Sequence, residues 1–192
     1  MPQPGDHTSD SGSHVCPWWL IWTFDNPLRR LFQPPERVLT GLVRAGDHCL
    51  DVGCGIGYFT IPMAAIVGDQ GSVTAADVQP QMLDGVVRRA RKQGLASRIR
   101  VRLATEAGPL VAQPADFVLA FWMLHEVRDQ AGLLRQLFEA LRPGGRLLLA
   151  EPRLHVSGAA FAASVERATA VGFDRIAEPA IALSRAILLT RR

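Results

Sequence analysis

The chain has 192 residues, 48% hydrophobic and 20% charged, with a formal net charge of +3; these values suit one ordinary globular domain and exclude a mostly disordered chain or a disulfide-framework mini-protein. Its apolar runs fall short of the ~20 residues that cross a bilayer, and Cys16, Cys49 and Cys54 form an odd set without pairing or zinc spacing. No charged stretch opens into a long apolar run, so a reducing, cytoplasmic location is expected, and no metal site.

All basic residues except Lys92 are arginine. The densest run, Arg88, Arg89, Arg91, Lys92, Arg98, Arg100 and Arg102, falls on an expected helix end and the strand after it. It reads as a solvated surface, because a nucleic-acid footprint needs its charge gathered on one face. Nucleic acid is therefore not an expected partner.

Residues 1–15 are polar, bear glycine and proline, lack periodicity and read as a disordered lead. Residues 16–45 differ sharply, carrying Trp18, Trp19, Trp22, Phe24 and Phe32. Three readings stay open for this segment: helix packing on the domain, a lid over a substrate, or a membrane-surface anchor aided by Arg29 and Arg30. Asp25 and Asn26, just before Pro27, suit a turn or a reach over a site.

Residues 46–192 alternate apolar runs with helical patterns, predicting strands at 48–52, 72–77, 99–103, 116–121 and 146–151. That alternation argues for a parallel sheet with crossover helices, an α/β fold. A helix over 158–171 is followed by strands at 173–181 and 184–190 with no room for a helix between them, so the last pair should be antiparallel. Seven strands are expected.

The strongest signal is the run from His48 to Thr60, a short apolar strand followed by Gly53, Cys54, Gly55, Ile56 and Gly57 and then a helical pattern. Glycine lets the backbone take positive φ and approach a ligand, while the helix start offers free N–H groups. Asp77 ends the second strand at the distance where a nucleotide-binding fold places the acid that accepts ribose hydroxyls. Position 58 is tyrosine, so the dinucleotide pattern G-x-G-x-x-G is absent, and no P-loop is present. Asp51, two residues before Gly53, suits a ligand with a cationic head, and S-adenosylmethionine carries both an ammonium and a sulfonium.

Asp51 to Gly57, Asp77, the stretch Asp116 to Val127 and the run Leu141 to Arg146 together resemble the ordered motifs of class I S-adenosylmethionine-dependent methyltransferases. The likeness covers residues 36–192 and is greatest to the quinone-biosynthesis-type and methyltransferase-domain group. It implies a Rossmann-like seven-stranded sheet of order 3-2-1-4-5-7-6, with strand 7 antiparallel and helices on both faces. It further implies that Gly53, Cys54, Gly55 and Gly57 line the methionine part, Asp51 helps hold its amino group, Asp77 binds the ribose, and Val78 and Met82 flank the adenine. Phe121 joins this cofactor set. Thr105 or Glu106 would stand in for the acid that the family often places near the adenine amine.

Methyl transfer is an in-line displacement at an activated carbon, so alignment is the main task and a base is optional. His125 and Glu126 follow the fourth strand, where such folds open their substrate pocket, and His155 follows the fifth. These three are the candidate catalytic residues, each also readable as an ordinary loop residue. The position after the fourth strand is not the N/D-P-P-Y motif of base and amide methylation. The expected activity is methylation of a small, partly apolar acceptor. An RNA or protein methyltransferase and a non-catalytic cofactor-binding partner subunit are the alternatives.

Overall fold

The computed structural model describes residues 27–104 and 110–192. The expectations for the lead, for Cys16, Trp18, Trp19, Trp22, Phe24, Asp25 and Asn26, and for Thr105 and Glu106 lie outside the described residues.

Two short helices, α1 (Pro27–Phe32) and α2 (Pro35–Leu39), precede the sheet. Pro34 parts them, since the residue before a proline is pushed out of helical geometry. Then follow β1 (His48–Val52), α3 (Thr60–Val67), β2 (Ser72–Asp77), α4 (Pro80–Lys92), β3 (Ile99–Leu103) and β4 (Ala115–Phe121). The chain ends with α5 (Gln130–Ala140), β5 (Leu141–Pro152), α6 (Gly158–Val171), β6 (Phe173–Ala177) and β7 (Ser184–Arg191). The link from β3 to β4 holds no helix among its described residues.

One seven-stranded sheet has the order β3-β2-β1-β4-β5-β7-β6. β1 pairs in parallel with β2 and β4, β2 with β3, and β4 with β5, whereas β7 runs antiparallel to β5 and β6. The seven strands, their order and the antiparallel last pair agree with the sequence expectations.

Two boundaries differ by more than one residue. β5 begins at Leu141 rather than 146, because Arg142 to Gly145 bulge out between the pairs Ala115↔Leu141 and Phe117↔Arg146. A Cβ on Gly145 would lie 2.8 Å from the Leu141 side chain and 3.0 Å from the Ala115 carbonyl, so only glycine passes there. β6 stops at Ala177 rather than 181. Pro179 has no N–H to give to a ladder, and the chain leaves the sheet before it.

The period-two alternation of the strands divides the core. On one face Leu50, Val52, Val118, Ala120, Leu147 and Leu149 pack with Leu134 and Leu137 of α5 and Val165 of α6. On the other, Cys49, Val73, Phe117, Leu119 and Leu148 pack with Leu39 of α2 and Met63 and Val67 of α3. α4 adds Leu83 and Val86 against Ala75 and Cys54. Both faces of the central strands are thus buried, which holds their carboxyl ends in one fixed row.

Candidate functional site

The glycine loop leaves β1 with Gly53, Gly55 and Gly57 at φ of 67°, 53° and 90°. A Cβ on Gly53 would meet the Met123 side chain at 2.7 Å. The first glycine is therefore demanded by the loop that follows β4, as well as by its own backbone. The Gly53 and Cys54 N–H groups both donate to the Ala76 carbonyl, at 2.9 and 3.1 Å, which ties the loop to β2.

Two buried carboxyl groups flank that loop. Asp51 is 3% exposed, and the Thr60 hydroxyl at the start of α3 donates to its Oδ2 at 2.6 Å. Burial pushes its pKa up to about 7, with the nearby Asp77 adding to the rise and the Thr60 hydrogen bond and Arg29 opposing it. Asp77, at the end of β2, accepts the Gly55 N–H on Oδ2 and the Gln79 N–H on Oδ1, both at 3.0 Å. Burial raises its pKa as well, against those hydrogen bonds. Each oxygen keeps a further lone pair for a hydroxyl donor. A pair of buried acids with raised pKa values is a site short of positive charge, and a ligand bearing ammonium and sulfonium fits it.

The other cofactor candidates spread around this centre. Val78 is exposed just beyond Asp77, Met82 is buried on α4, and the buried Phe121 ring lies 4.6 Å from Phe59. Cys54 is buried with its thiol directed at the Gly55 carbonyl. Burial drives the pKa of both Cys49 and Cys54 far up, so neither is a ready nucleophile.

At the carboxyl ends of β4 and β5 the structure brings His125 and His155 together, their ring centroids 6.1 Å apart. Glu126 sits in the same 3₁₀ turn, Leu124–Glu126, and adds negative charge near His125. Sequence spacing does not reveal the partner that matters most. Glu151, buried inside β5, accepts the Leu124 N–H at 2.8 Å and is hydrogen-bonded to His125 Nδ1. That bond raises the His125 pKa against the effect of burial.

Trp122, just after β4, has φ of 60°, uncommon for a bulky residue. Its indole N–H donates to Ser184 Oγ at 2.9 Å, and its backbone N–H to the Ala150 carbonyl at 2.7 Å. Helix α1 closes the same wall. The Arg29 guanidinium lies 4.2 Å from the Tyr58 ring centroid and 4.8 Å from that of Trp122. The buried Gln33 donates to the Ala182 carbonyl and to Ser184 Oγ, while the Tyr58 hydroxyl donates to the Gln33 carbonyl. Arg29, Gln33, Trp122 and Ser184 carry no sequence signal, for their partners lie up to 151 positions away.

A family model described as "Methyltransferase domain" matches residues 49–145, half of the chain. The chain belongs to this family. It is a methyltransferase-domain protein with the class I methyltransferase fold, and it is similar to enzymes of quinone biosynthesis. Among curated relatives, the "Ubiquinone/menaquinone biosynthesis C-methyltransferase UbiE" of Vibrio parahaemolyticus is 36% identical over 109 residues, which are 56% of this chain and 42% of the relative. The methyltransferase chain thus matches less than half the length of that relative. A solved S-adenosylmethionine-dependent methyltransferase from Aquifex aeolicus superposes with a TM-score of 0.81 at 21% identity, over 93% of this chain and 100% of that one. An O-methyltransferase from neocarzinostatin biosynthesis, NcsB1, solved with S-adenosylmethionine and 2-hydroxy-5-methyl naphthoic acid, gives 0.69 at 21% identity over 91% and 58%. These two likenesses establish the fold.

Among the described residues no helix is long and apolar enough to cross a membrane. Also among the described residues, no group of three or more His, Cys, Asp or Glu could hold a metal ion.

Proposed function

We propose that this methyltransferase transfers a methyl group to a small, partly apolar acceptor bound at the carboxyl ends of β4 and β5 and the amino end of β7. The observation that carries the reading is the pair of rings Phe121 and Trp122, their centroids 5.6 Å apart, with Trp122 tied by its indole to Ser184. A hollow of about 450 Å³, lined by Arg153, Leu154, Ala180, Ile181, Ala182 and Leu183, opens beside Ser184. Aromatic and aliphatic surface with few polar groups suits a small ring-bearing molecule. NcsB1, a structural neighbour, was solved in complex with a naphthoic acid, a ring of this kind.

S-Adenosylmethionine supplies a carbon activated for in-line displacement. In this reading Asp51 faces the cationic head, Gly53, Cys54, Gly55 and Gly57 shape the backbone around the methionine part, and Asp77 accepts the ribose hydroxyls. Val78, Met82 and Phe121 flank the remaining surface, with Thr105 or Glu106 toward the adenine. The segment 16–45 serves as the lid or docking segment; its described part, α1 and α2, is latched to the glycine loop through Arg29 and Gln33. The protein functions in the cytoplasm.

Titration calorimetry with S-adenosylhomocysteine, with NAD as control, tests the cofactor assignment. Asp77→Ala should weaken binding by about 2–3 kcal/mol, because two hydrogen bonds to a charged group are lost. Unchanged affinity would remove Asp77 from the site. Labelled methyl transfer to small aromatic acceptors, but not to bulk RNA or protein, is the expected outcome for the acceptor class.

A further inference from the structure

Cofactor binding leaves one buried carboxylate on the acceptor side without a task. The Glu151 side chain is 2% exposed and that of His125 26%. Both Glu151 oxygens are engaged, Oε1 by the Leu124 N–H at 2.8 Å and Oε2 by His125 Nδ1. A carboxylate can only accept, so Nδ1 must carry the proton. In a neutral imidazole that leaves the lone pair on Nε2, the edge of the ring turned away from Glu151. Among the described residues, the His155 ring and Glu126 are further ionisable groups about it.

We propose that Glu151 is a positioning residue that locks His125 as its Nδ1–H tautomer, so that Nε2 receives a proton from the methyl acceptor. This rests on the acceptor reading above and sharpens it. The acceptor belongs to the class whose methylation releases a proton: a hydroxyl, a neutral nitrogen bearing hydrogen or an activated ring carbon. Thioethers and tertiary amines, which have no proton to give, fall outside that class.

The step balances. The acceptor's lone pair or ring π pair forms the bond to the methyl carbon, the carbon–sulfur pair remains on sulfur as a neutral thioether, and the acceptor's proton passes to Nε2. The positive charge lost at sulfur reappears on the imidazolium, whose other N–H faces the Glu151 carboxylate. An acid that holds the ring in one tautomer and then stabilises its cation is the division of labour known from Ser-His-Asp triads.

Glu151→Gln tests this with little change of shape. Its amide oxygen can still accept the Leu124 N–H, but its NH₂ must donate to Nδ1, which moves the ring proton to Nε2 and removes the base. Imidazole ¹⁵N spectra of the full chain at alkaline pH, alone and with S-adenosylhomocysteine, should show His125 protonated at Nδ1 in the wild type and at Nε2 in the variant. Affinity for S-adenosylhomocysteine should stay within about twofold. Labelled methyl transfer to a panel of phenols should fall at least about 100-fold. A wild-type ring protonated at Nε2, or the same tautomer in both proteins, overturns the proposal. So does a variant that methylates phenols at the wild-type rate, or a wild type that methylates dimethyl sulfide and none of the phenols. Failure to bind S-adenosylhomocysteine would instead strike the cofactor reading, and the tautomer measurement stands apart from it. His125→Gln, which should lose transfer while keeping its fold by circular dichroism, guards against a folding defect in the first variant.

Discussion

The proposed cofactor end and the proposed acceptor end of the site lie on one row of strand termini, yet they are held by different means. The hydrogen bonds of Asp51 and Asp77 span at most 22 positions: the Thr60 hydroxyl reaches Asp51 across nine, Gln79 reaches Asp77 across two and the Gly55 N–H reaches it across 22. Around His125 the contacts come from far along the chain, Glu151 at 26 positions, Ser184 to Trp122 at 62 and Gln33 to Ser184 at 151. A turn of backbone can cradle a ligand common to a whole family, whereas a wall assembled from remote side chains can change without disturbing that turn. The difference teaches which part of this fold can hold a ligand by its backbone turn and which part can vary its substrate.

Gly53 joins the two ends, and breaking it should have the largest effect. Gly53→Ala must place a Cβ 2.7 Å from Met123 at φ of 67°. The loss should be about 2–5 kcal/mol, combining left-handed strain with overpacking, read from the urea midpoint. A change below 1 kcal/mol would show that the post-β4 loop yields freely and that the ends are not coupled there.

Asp51 sharpens the contrast through pH. Its folded pKa of about 7 exceeds the ordinary carboxyl value, so between about pH 4 and 7 the folded state holds a proton that the unfolded chain releases. Stability therefore falls as pH rises through that window. Asp77 and His125, both also raised, act in the same direction. Asp51→Asn should flatten the decline and gain on the order of 2 kcal/mol over the wild type at pH 8, while binding S-adenosylhomocysteine more weakly. A variant with an unchanged pH profile would contradict the buried-acid account.

Ser184→Ala addresses the acceptor end alone. It removes the partner of the Trp122 indole and one acceptor of Gln33, and should cost about 1–2 kcal/mol. Cofactor affinity should hardly move, since no contact of Asp51 or Asp77 is lost. A large loss of affinity would show that the two ends are less separate than their contacts suggest.

The strand order followed from the family resemblance, whereas the strands and the glycine loop were legible because period-two alternation and turn chemistry act over a few residues. The start of β5 was not, since the Arg142 to Gly145 bulge depends on Ala115 and Leu141 meeting across two strands. Nor was the end of β6, where Pro179 outweighed an apolar pattern running on to Ile181. At the site, Asp51 and Asp77 were marked by their spacing from the glycines. His125 and His155 could be named from their places after β4 and β5, but not that Glu151 orients one of them.

By itself, then, the sequence determined a seven-stranded α/β methyltransferase with two acids beside a glycine turn, because each of those features is written in neighbouring residues. Only the tertiary structure decided that Glu151 holds His125, that Met123 compels Gly53 to be glycine, and that Arg29 and Gln33 latch α1 onto the site. Those pairings depend on where the sheet order brings distant strand ends, and a linear pattern carries no record of that.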